Sequence, residues 1–312
     1  MNSSSLLSQT RVYNNVITDV AAYGSTIDRT ADHNGVGLVI NNGSGYTIVH
    51  NTIVLNSNQT VAGYPAALLV GSGVPANAVT LVNNILGNQQ SQSGAHYTLV
   101  VLANSNALLQ EDYNDYYNST GSLAYVGADL ANTVDIRLAT GQDIHSINVT
   151  PAFLSATDFH LDPANVSNGV NIGDRGTNMN IIDDIDFTTR SVITPDIGAD
   201  EWIKPNYASW VGRVSIEWLV PENWETNVVP DSTTDVYIKG GFTHMPTIVT
   251  TQAVRDLNLS APGTPPVLTL DQGTIQILGQ INHSGGSING ALGTVEMRGT
   301  VAQPIPAGLF EN

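Results

Sequence analysis

Four short stretches within the first 125 residues repeat one pattern of aliphatic and polar positions. They are Val12–Ile17, Ile48–Ile53, Leu81–Leu86 and Asp112–Tyr117. Each contains one aligned Asn or Asp, and these polar positions are 36, 33 and 31 residues apart. The column is Asn15, Asn51, Asn84 and Asp115. A period in the low thirties, with short strands in every repeat, predicts a solenoid whose coils bury their apolar faces against each other.

The polar column has a physical reason. Asn tolerates the left-handed backbone conformation at a sharp bend, and stacked Asn side chains can hydrogen-bond along a solenoid. A β-sandwich, the alternative, would not need a polar residue in register. Residues 10–125 resemble the right-handed parallel β-helix of the pectin-lyase-like superfamily, which implies that fold. The first coil begins near residue 11 without an amphipathic helix to cover it, which predicts an internal piece of a longer protein.

A different pattern follows in residues 151–203. Its landmarks are Asp158–Leu161, Ser167–Gly173, Asp184–Asp186, Arg190 and Asp196–Glu201. Their order is similar to the terminal segment of bacterial surface proteins that join a parallel β-helix to a variable C-terminal anchoring module. That resemblance implies export and surface display. Phe187 stands where Gly commonly follows the Asp, so we expect a different turn there.

From residue 204 the chain alternates apolar and polar positions in short strands, as half-buried β-strands do. Examples are Leu257–Leu259, Leu268–Leu270, Ile275–Ile277 and Val295–Met297. Trp210–Gly212, Glu222–Trp224 and Gly299–Ile305 are similar in order to a β-rich repeat of large exported surface proteins from type IX-secreting bacteria. We expect a short β-solenoid or a sandwich that is cut off before its natural C-terminal end.

The predicted fold class is therefore all-β, in three parts. They are N-terminally truncated coils of a right-handed parallel β-helix over residues 1–150, a closing segment over 151–203, and a C-terminally truncated β-rich surface-protein module over 204–312.

Negative charge is concentrated in the middle of the chain. The net charge of −17 divides into −1 over residues 1–110, −12 over 111–201 and −4 over 202–312. Ten Lys and Arg residues cannot form a basic stripe, which argues against nucleic acid and weakens direct binding of a polyanionic polysaccharide. The absence of cysteine excludes disulfides and thiolate chemistry. No signal peptide is visible, and the longest apolar run is too short to span a bilayer.

The fold raises the question of catalysis, because parallel β-helices host polysaccharide lyases and glycosidases. Glycoside hydrolysis needs two carboxylates across the scissile bond. The candidate acids are Asp28, Asp32, Glu111, Asp112 and Asp115. Solvated loop residues and turn residues explain the same positions, and no recognised motif joins the candidates. The sequence therefore assigns no catalytic residue.

Two further groups of residues suggest binding. Asp183, Asp184 and Asp186 could supply carboxylate oxygens to Ca²⁺, or form a polar turn with nearby arginines. Trp210, Trp218 and Trp224 could stack on sugar rings, or fill a core beneath irregular loops. Apart from this possible Ca²⁺, no cofactor is predicted.

Two functions compete at this point. The preferred one is a non-catalytic structural or adhesive segment of an exported bacterial cell-surface protein, extracellular or surface-bound, with glycans as partners and further domains on either side. The alternative is a fragment of a carbohydrate-active enzyme, either a polysaccharide lyase or a glycoside hydrolase. Fold analogy alone does not establish activity.

Overall fold

The computed structural model describes the chain in two compact units, Met1–Trp202 (unit 1) and Ile203–Asn312 (unit 2). The described residues are 1–2, 8–25, 28–31, 33–119, 121–162, 172–173, 175–202, 206–261, 263–290 and 292–310. Among them, no helix has the length and apolar character needed to cross a membrane.

Short strands make up most of the regular structure in unit 1. In chain order they are β1 (Thr10–Tyr13), β2 (Val16–Ile17), β3 (Val36–Asn42), β4 (Tyr46–Val49), β5 (Thr52–Leu55), β6 (Ala66–Gly73), β7 (Val79–Val82), β8 (Ile85–Asn88), β9 (Tyr97–Val101), β10 (Leu108–Asp112), β11 (Asp115–Asn118), β12 (Ala124–Val126) and β13 (Asp129–Leu130). Helix α1 (Thr133–Thr140) follows them. It buries Ile136 in the core of this unit.

Within the described residues, these strands form three sheets. Their orders are β1-β4-β7-β10, β2-β5-β8-β11 and β3-β6-β9-β12-β13. Every pairing is parallel except that of β12 with β13. Each strand therefore lies beside its equivalent in the next repeat, and the repeats stack as coils. The stacked parallel sheets agree with the predicted all-β class and are compatible with the predicted solenoid.

Equivalent aliphatic side chains stack from coil to coil. Ile48 pairs in register with Leu81, and Ile53 pairs with Leu86. All four are fully buried in one central core. Successive residues of a strand point to opposite faces, so Val54 leaves this core and packs on the outer side of the second sheet.

The chain turns sharply between the first and second sheets, and the residue at the turn has a left-handed backbone with φ between 53° and 59°. These residues are Asn14, His50, Asn83 and Tyr113. The stacked polar residue follows this left-handed residue in the chain. The repeat pattern predicts the bend at the stacked residue itself, which is one position too late. In the fourth coil, β11 pairs Asp115 with Ile85. Asn114 is therefore the stacked residue, and the prediction of Asp115 in this column is wrong.

The described residues of 151–202, called the flank segment, lie along the side of unit 1. Their buried apolar side chains pack against Val54 and Ile85 on the outer face of the second sheet. They are Phe159, Leu161, Ile172 and Ile197. We expected this segment to close the solenoid, whereas the structure places it against several coils.

Unit 2 contains a second set of short strands. They are β14 (Tyr207–Ser209), β15 (Asp235–Lys239), β16 (Thr247–Ile248), β17 (Thr251–Val254), β18 (Leu257–Ser260), β19 (Val267–Leu270), β20 (Thr274–Ile277), β21 (Ile281–His283), β22 (Ser287–Asn289) and β23 (Thr294–Met297). Within the described residues their sheet orders are β14-β15-β18-β21, β16-β19-β22 and β17-β20-β23, all parallel. Sandwich strands pair antiparallel, so this pairing favours the short-solenoid alternative.

Candidate functional site

The described acidic candidates of unit 1 lie in three different surroundings. Asp28 is in an exposed loop, where its Oδ1 accepts hydrogen bonds from the Thr30 amide at 3.0 Å and the Thr30 hydroxyl at 2.7 Å. These bonds lower the pKa of Asp28. Asp112 accepts hydrogen bonds from the His145 amide at 2.7 Å and pairs with His145 Nδ1 at 2.8 Å. Asp32 lies outside the described residues.

The remaining two candidates are in the interior. Glu111 is 1% exposed and Asp115 is fully buried. Asp115 Oδ1 accepts a hydrogen bond from the Val149 amide at 3.0 Å, and burial raises the pKa of Asp115 well above its usual range. Neither carboxyl can contact a polysaccharide chain on the surface of this structure.

Glu111 belongs to a buried acid pair that sequence reasoning missed. The Tyr116 hydroxyl lies 2.8 Å from Glu111 Oε1 and 3.2 Å from Asp143 Oδ1. Ser146 Oγ donates to Asp143 at 2.5 Å. Glu111 Oε2 and Asp143 Oδ2 are buried and have no hydrogen-bonding partner among the described residues. A proton retained on Glu111 would let that carboxyl group donate a hydrogen bond to Asp143.

Burial is the main cause of the altered ionisation of this pair. It raises the pKa of Glu111 well above its usual range and the pKa of Asp143 to about 6, and the neighbouring Asp143 carboxylate raises that of Glu111 further. Two buried like charges cannot both ionise without a large energetic cost. We therefore expect the buried pair to keep one proton near neutral pH, with one carboxyl group donating a hydrogen bond to the other.

The Glu111→Gln substitution should make the stability of unit 1 less dependent on pH. Unfolded carboxyl groups ionise near pH 4, whereas the folded pair retains its proton to higher pH. The free energy of unfolding therefore falls as pH rises above about 4, and for Glu111 it continues to fall until the pH passes the raised pKa of that group. Gln keeps an acceptor for Tyr116 and a donor for Asp143, so we expect roughly 1–3 kcal/mol greater stability at pH 7.

Chemical denaturation at several pH values measures this effect. Glu296→Gln is the control, because Glu296 is a partly exposed acid that pairs with Arg298. An unchanged pH slope in Glu111→Gln would contradict the shared proton.

The flank segment contains a buried ion pair. Arg190 Nη1 donates to Glu201 Oε2 at 3.2 Å, and the two side chains are only 1% and 5% exposed. The backbone amides of Ser191 and Asp196 donate to the same carboxylate at 2.8 and 2.7 Å. Burial lowers the pKa of Arg190, and the nearby carboxylates oppose that effect. The acids in this region thus serve to hold the segment together.

The three predicted calcium ligands have different surroundings in the structure. Asp184 accepts hydrogen bonds from the amides of Asp186, Thr188 and Glu201. The Asp183 main-chain carbonyl accepts a hydrogen bond from Asn14 at 2.6 Å. Asp186 instead lies beside His160, so the predicted trio does not form one cluster.

The flank segment instead contains a cluster of one histidine and two carboxylates that could hold a metal ion. One ligand atom from each of His160, Asp186 and Asp200 lies within 4.8 Å of the others. His160 Nε2 is 2.7 Å from Asp186 Oδ2, and Nδ1 is 2.5 Å from Asp158 Oδ1. Asp158 and Asp186 raise the pKa of His160, and the protonated ring can donate to both. To bind a divalent cation, the His160 ring would have to lose its Nε2 proton. The hydrogen bond from Nδ1 to Asp158 would then hold the ring in its present orientation.

The three tryptophans lie in the core of unit 2. Trp210, Trp218 and Trp224 are 1%, 2% and 0% exposed, with edge-to-face ring centroids 5.0 and 4.7 Å apart. Their buried faces leave no surface on which a sugar could stack, which agrees with the core-filling alternative. Comparison of the chain with protein-family models, curated proteins and solved structures gave no match.

Proposed function

We propose that this chain is a non-catalytic structural and adhesive segment of an exported bacterial cell-surface protein. In this proposal unit 1 is a right-handed, pectin-lyase-like β-helix that acts as a stiff spacer. Its flanks or loops bind cell-surface glycans. Unit 2 is a repeat of the kind found in large type IX-secreted surface proteins, and both units continue into flanking domains.

The use of the unit 1 carboxylates in internal contacts supports the non-catalytic part of the proposal. Glu111 and Asp115 are buried, Asp28 caps its own turn, and Asp112 pairs with His145. Hydrolysis of a glycosidic bond needs two carboxylates that reach the substrate from opposite sides. These residues instead stabilise coils and turns.

Incubation with a panel of polysaccharides tests this function. We expect the intact chain to be retained by at least one glycan and to release neither new reducing ends nor unsaturated products. Product formation that disappears in Asp112→Asn would favour the carbohydrate-active enzyme instead. The Glu296→Gln variant controls for a general effect of removing an acid.

Calcium binding in the flank segment is also a proposal. We expect millimolar Ca²⁺ to raise the melting temperature, because a ligand of the native state stabilises it by mass action, by about 2.7 kcal/mol at a hundredfold excess over Kd. Since imidazole also suits Zn²⁺, both ions should be tested. Asp186→Asn should abolish the shift and Asp183→Asn should keep it. An unchanged melting temperature with both ions would reject the site.

A further inference from the structure

We propose that a pocket between the first coil and the flank segment binds one neutral sugar residue of a polysaccharide. The inference rests on the adhesive function proposed above and assigns that function to named residues. The pocket has a volume of about 360 Å³. Arg11, Tyr13, Asn180, Asp183 and Phe187 are among the residues that line it.

Two aromatic side chains at this pocket are open to solvent. Phe187 is 86% exposed and Tyr13 is 47% exposed. Large apolar rings that line one pocket on a soluble surface commonly mark a binding site. Aromatic faces suit the apolar C–H face of a sugar ring, and this pocket offers two such side chains.

The backbone of Phe187 strengthens this interpretation. Its φ is +66°, in the left-handed region that a bulky side chain rarely adopts. The resemblance described under Sequence analysis predicts a different turn here, because Phe187 stands where Gly commonly follows the Asp. In the structure Phe187 has a left-handed backbone conformation, which Gly adopts freely. The structure therefore keeps an exposed aromatic side chain at a position where it is conformationally unfavourable. Such unfavourable conformations cluster at functional sites.

Polar groups beside the rings suit sugar hydroxyl groups. The Asp183 carboxylate accepts no hydrogen bond from another described side chain, while its main-chain carbonyl is fixed by Asn14 at 2.6 Å and Arg190 at 3.3 Å. Arg11 Nη2 donates to the Met179 carbonyl at 3.3 Å. The pocket lining therefore includes a carboxylate on a fixed backbone and a guanidinium.

The negative charge of this part of the chain favours a neutral sugar over an acidic one. Residues 111–201 carry a formal net charge of −12, which stays negative when the buried acids Glu111, Asp115 and Asp143 are protonated, and Asp183 itself lines the pocket. A polyanionic glycan would be repelled by this field at low salt. A neutral sugar can stack on the rings and donate hydroxyl hydrogen bonds to Asp183 without that repulsion.

Affinity gel electrophoresis with neutral and anionic polysaccharides tests the site. Hydroxyethyl cellulose, laminarin and galactomannan are the neutral probes, and polygalacturonate and alginate are the anionic ones. We expect a neutral probe to retard the wild type. Phe187→Gly and Tyr13→Ala should each weaken binding about tenfold or more, which corresponds to about 1.4 kcal/mol. Phe187→Gly should not lower the melting temperature, because Gly adopts this φ freely.

Each variant has a matched control in unit 2. Gln272 has φ +64°, so Gln272→Gly makes the same backbone change elsewhere. Tyr207 is 47% exposed, as Tyr13 is, so Tyr207→Ala removes an equally exposed ring. Both controls should bind as the wild type does.

The outcomes separate the site from the function. Retention by a neutral glycan that both pocket variants preserve would overturn this site and leave the adhesive function in place. Retention by anionic probes alone would also overturn it. No retention of the wild type by any probe would overturn the adhesive function together with the site.

Discussion

Replacing Arg190 with Met is expected to destabilise unit 1 by about 3–5 kcal/mol and to release the flank segment from the coils. The Arg190 guanidinium donates to Glu201, to Asn14 Oδ1 at 3.0 Å, and to the carbonyls of Gly198 and Ala199 at 3.1 and 2.7 Å. Met has a similar length but donates no hydrogen bond. The variant would therefore leave the Glu201 carboxylate buried without its cation.

The Arg190 substitution should have both a local and a global effect. Urea denaturation measures the loss of stability, and limited proteolysis shows whether residues 175–202 become accessible. Arg255→Met is the control, because Arg255 also pairs with a carboxylate, Asp235, at 2.6 and 2.5 Å, but on the surface. Exposed ion pairs contribute little to stability, so this variant should resemble the wild type. Equal losses in the two variants would contradict the role assigned to burial.

The repeat pattern predicted the sheets better than it predicted individual positions. Aliphatic residues recurring with a period in the low thirties identified stacking partners such as Ile48 and Leu81. The fourth coil offers both Asn114 and Asp115, and only the strand register distinguishes them. The aligned motif therefore selected the wrong one of two adjacent polar residues.

Long-range contacts of the acids could not be predicted from spacing. Glu111 and Asp143 are 32 positions apart, and His160 and Asp186 are 26 apart. The first pair depends on how the chain after helix α1 packs against strand β10, and the second depends on how two parts of the flank segment fold against each other. The concentration of acidic residues in 111–201 was visible in the sequence. The sequence did not show which of these acids would share a proton, which would form a buried ion pair and which would cap turns.

The sequence pattern also could not predict whether neighbouring strands in unit 2 pair in parallel or antiparallel. Alternating apolar and polar residues occur in both parallel and antiparallel strands, because side chains alternate in either case. Because the pattern is the same in both cases, the sequence left both a short solenoid and a sandwich open for unit 2. The parallel pairing of β15 with β18, and of β18 with β21, distinguishes them.

Replacing Asn84 with Ala is expected to destabilise unit 1 by about 3 kcal/mol or more. Asn84 is fully buried, and its Nδ2 donates to the carbonyls of Ile48 and Val82 at 2.9 and 3.0 Å and to Asn114 Oδ1 at 3.1 Å. Its Oδ1 accepts hydrogen bonds from the amide and the side chain of Asn51, both at 3.0 Å. Ala would leave several buried polar groups unpaired in three coils, and each such group costs about 1–3 kcal/mol.

The stacked residues Asn15, Asn51, Asn84 and Asn114 form a hydrogen-bonded ladder, which also provides the control for this prediction. Asn15 is the exposed first member, and its Nδ2 donates to Asn51 Oδ1 at 2.9 Å and to the Tyr13 carbonyl at 2.8 Å. Water can replace these partners, so Asn15→Ala should cost about 1 kcal/mol or less. Urea denaturation of both variants measures the difference. If the two substitutions destabilise unit 1 equally, the ladder does not hold the coils together through buried hydrogen bonds, and the apolar stacks on either side of it must supply that stability.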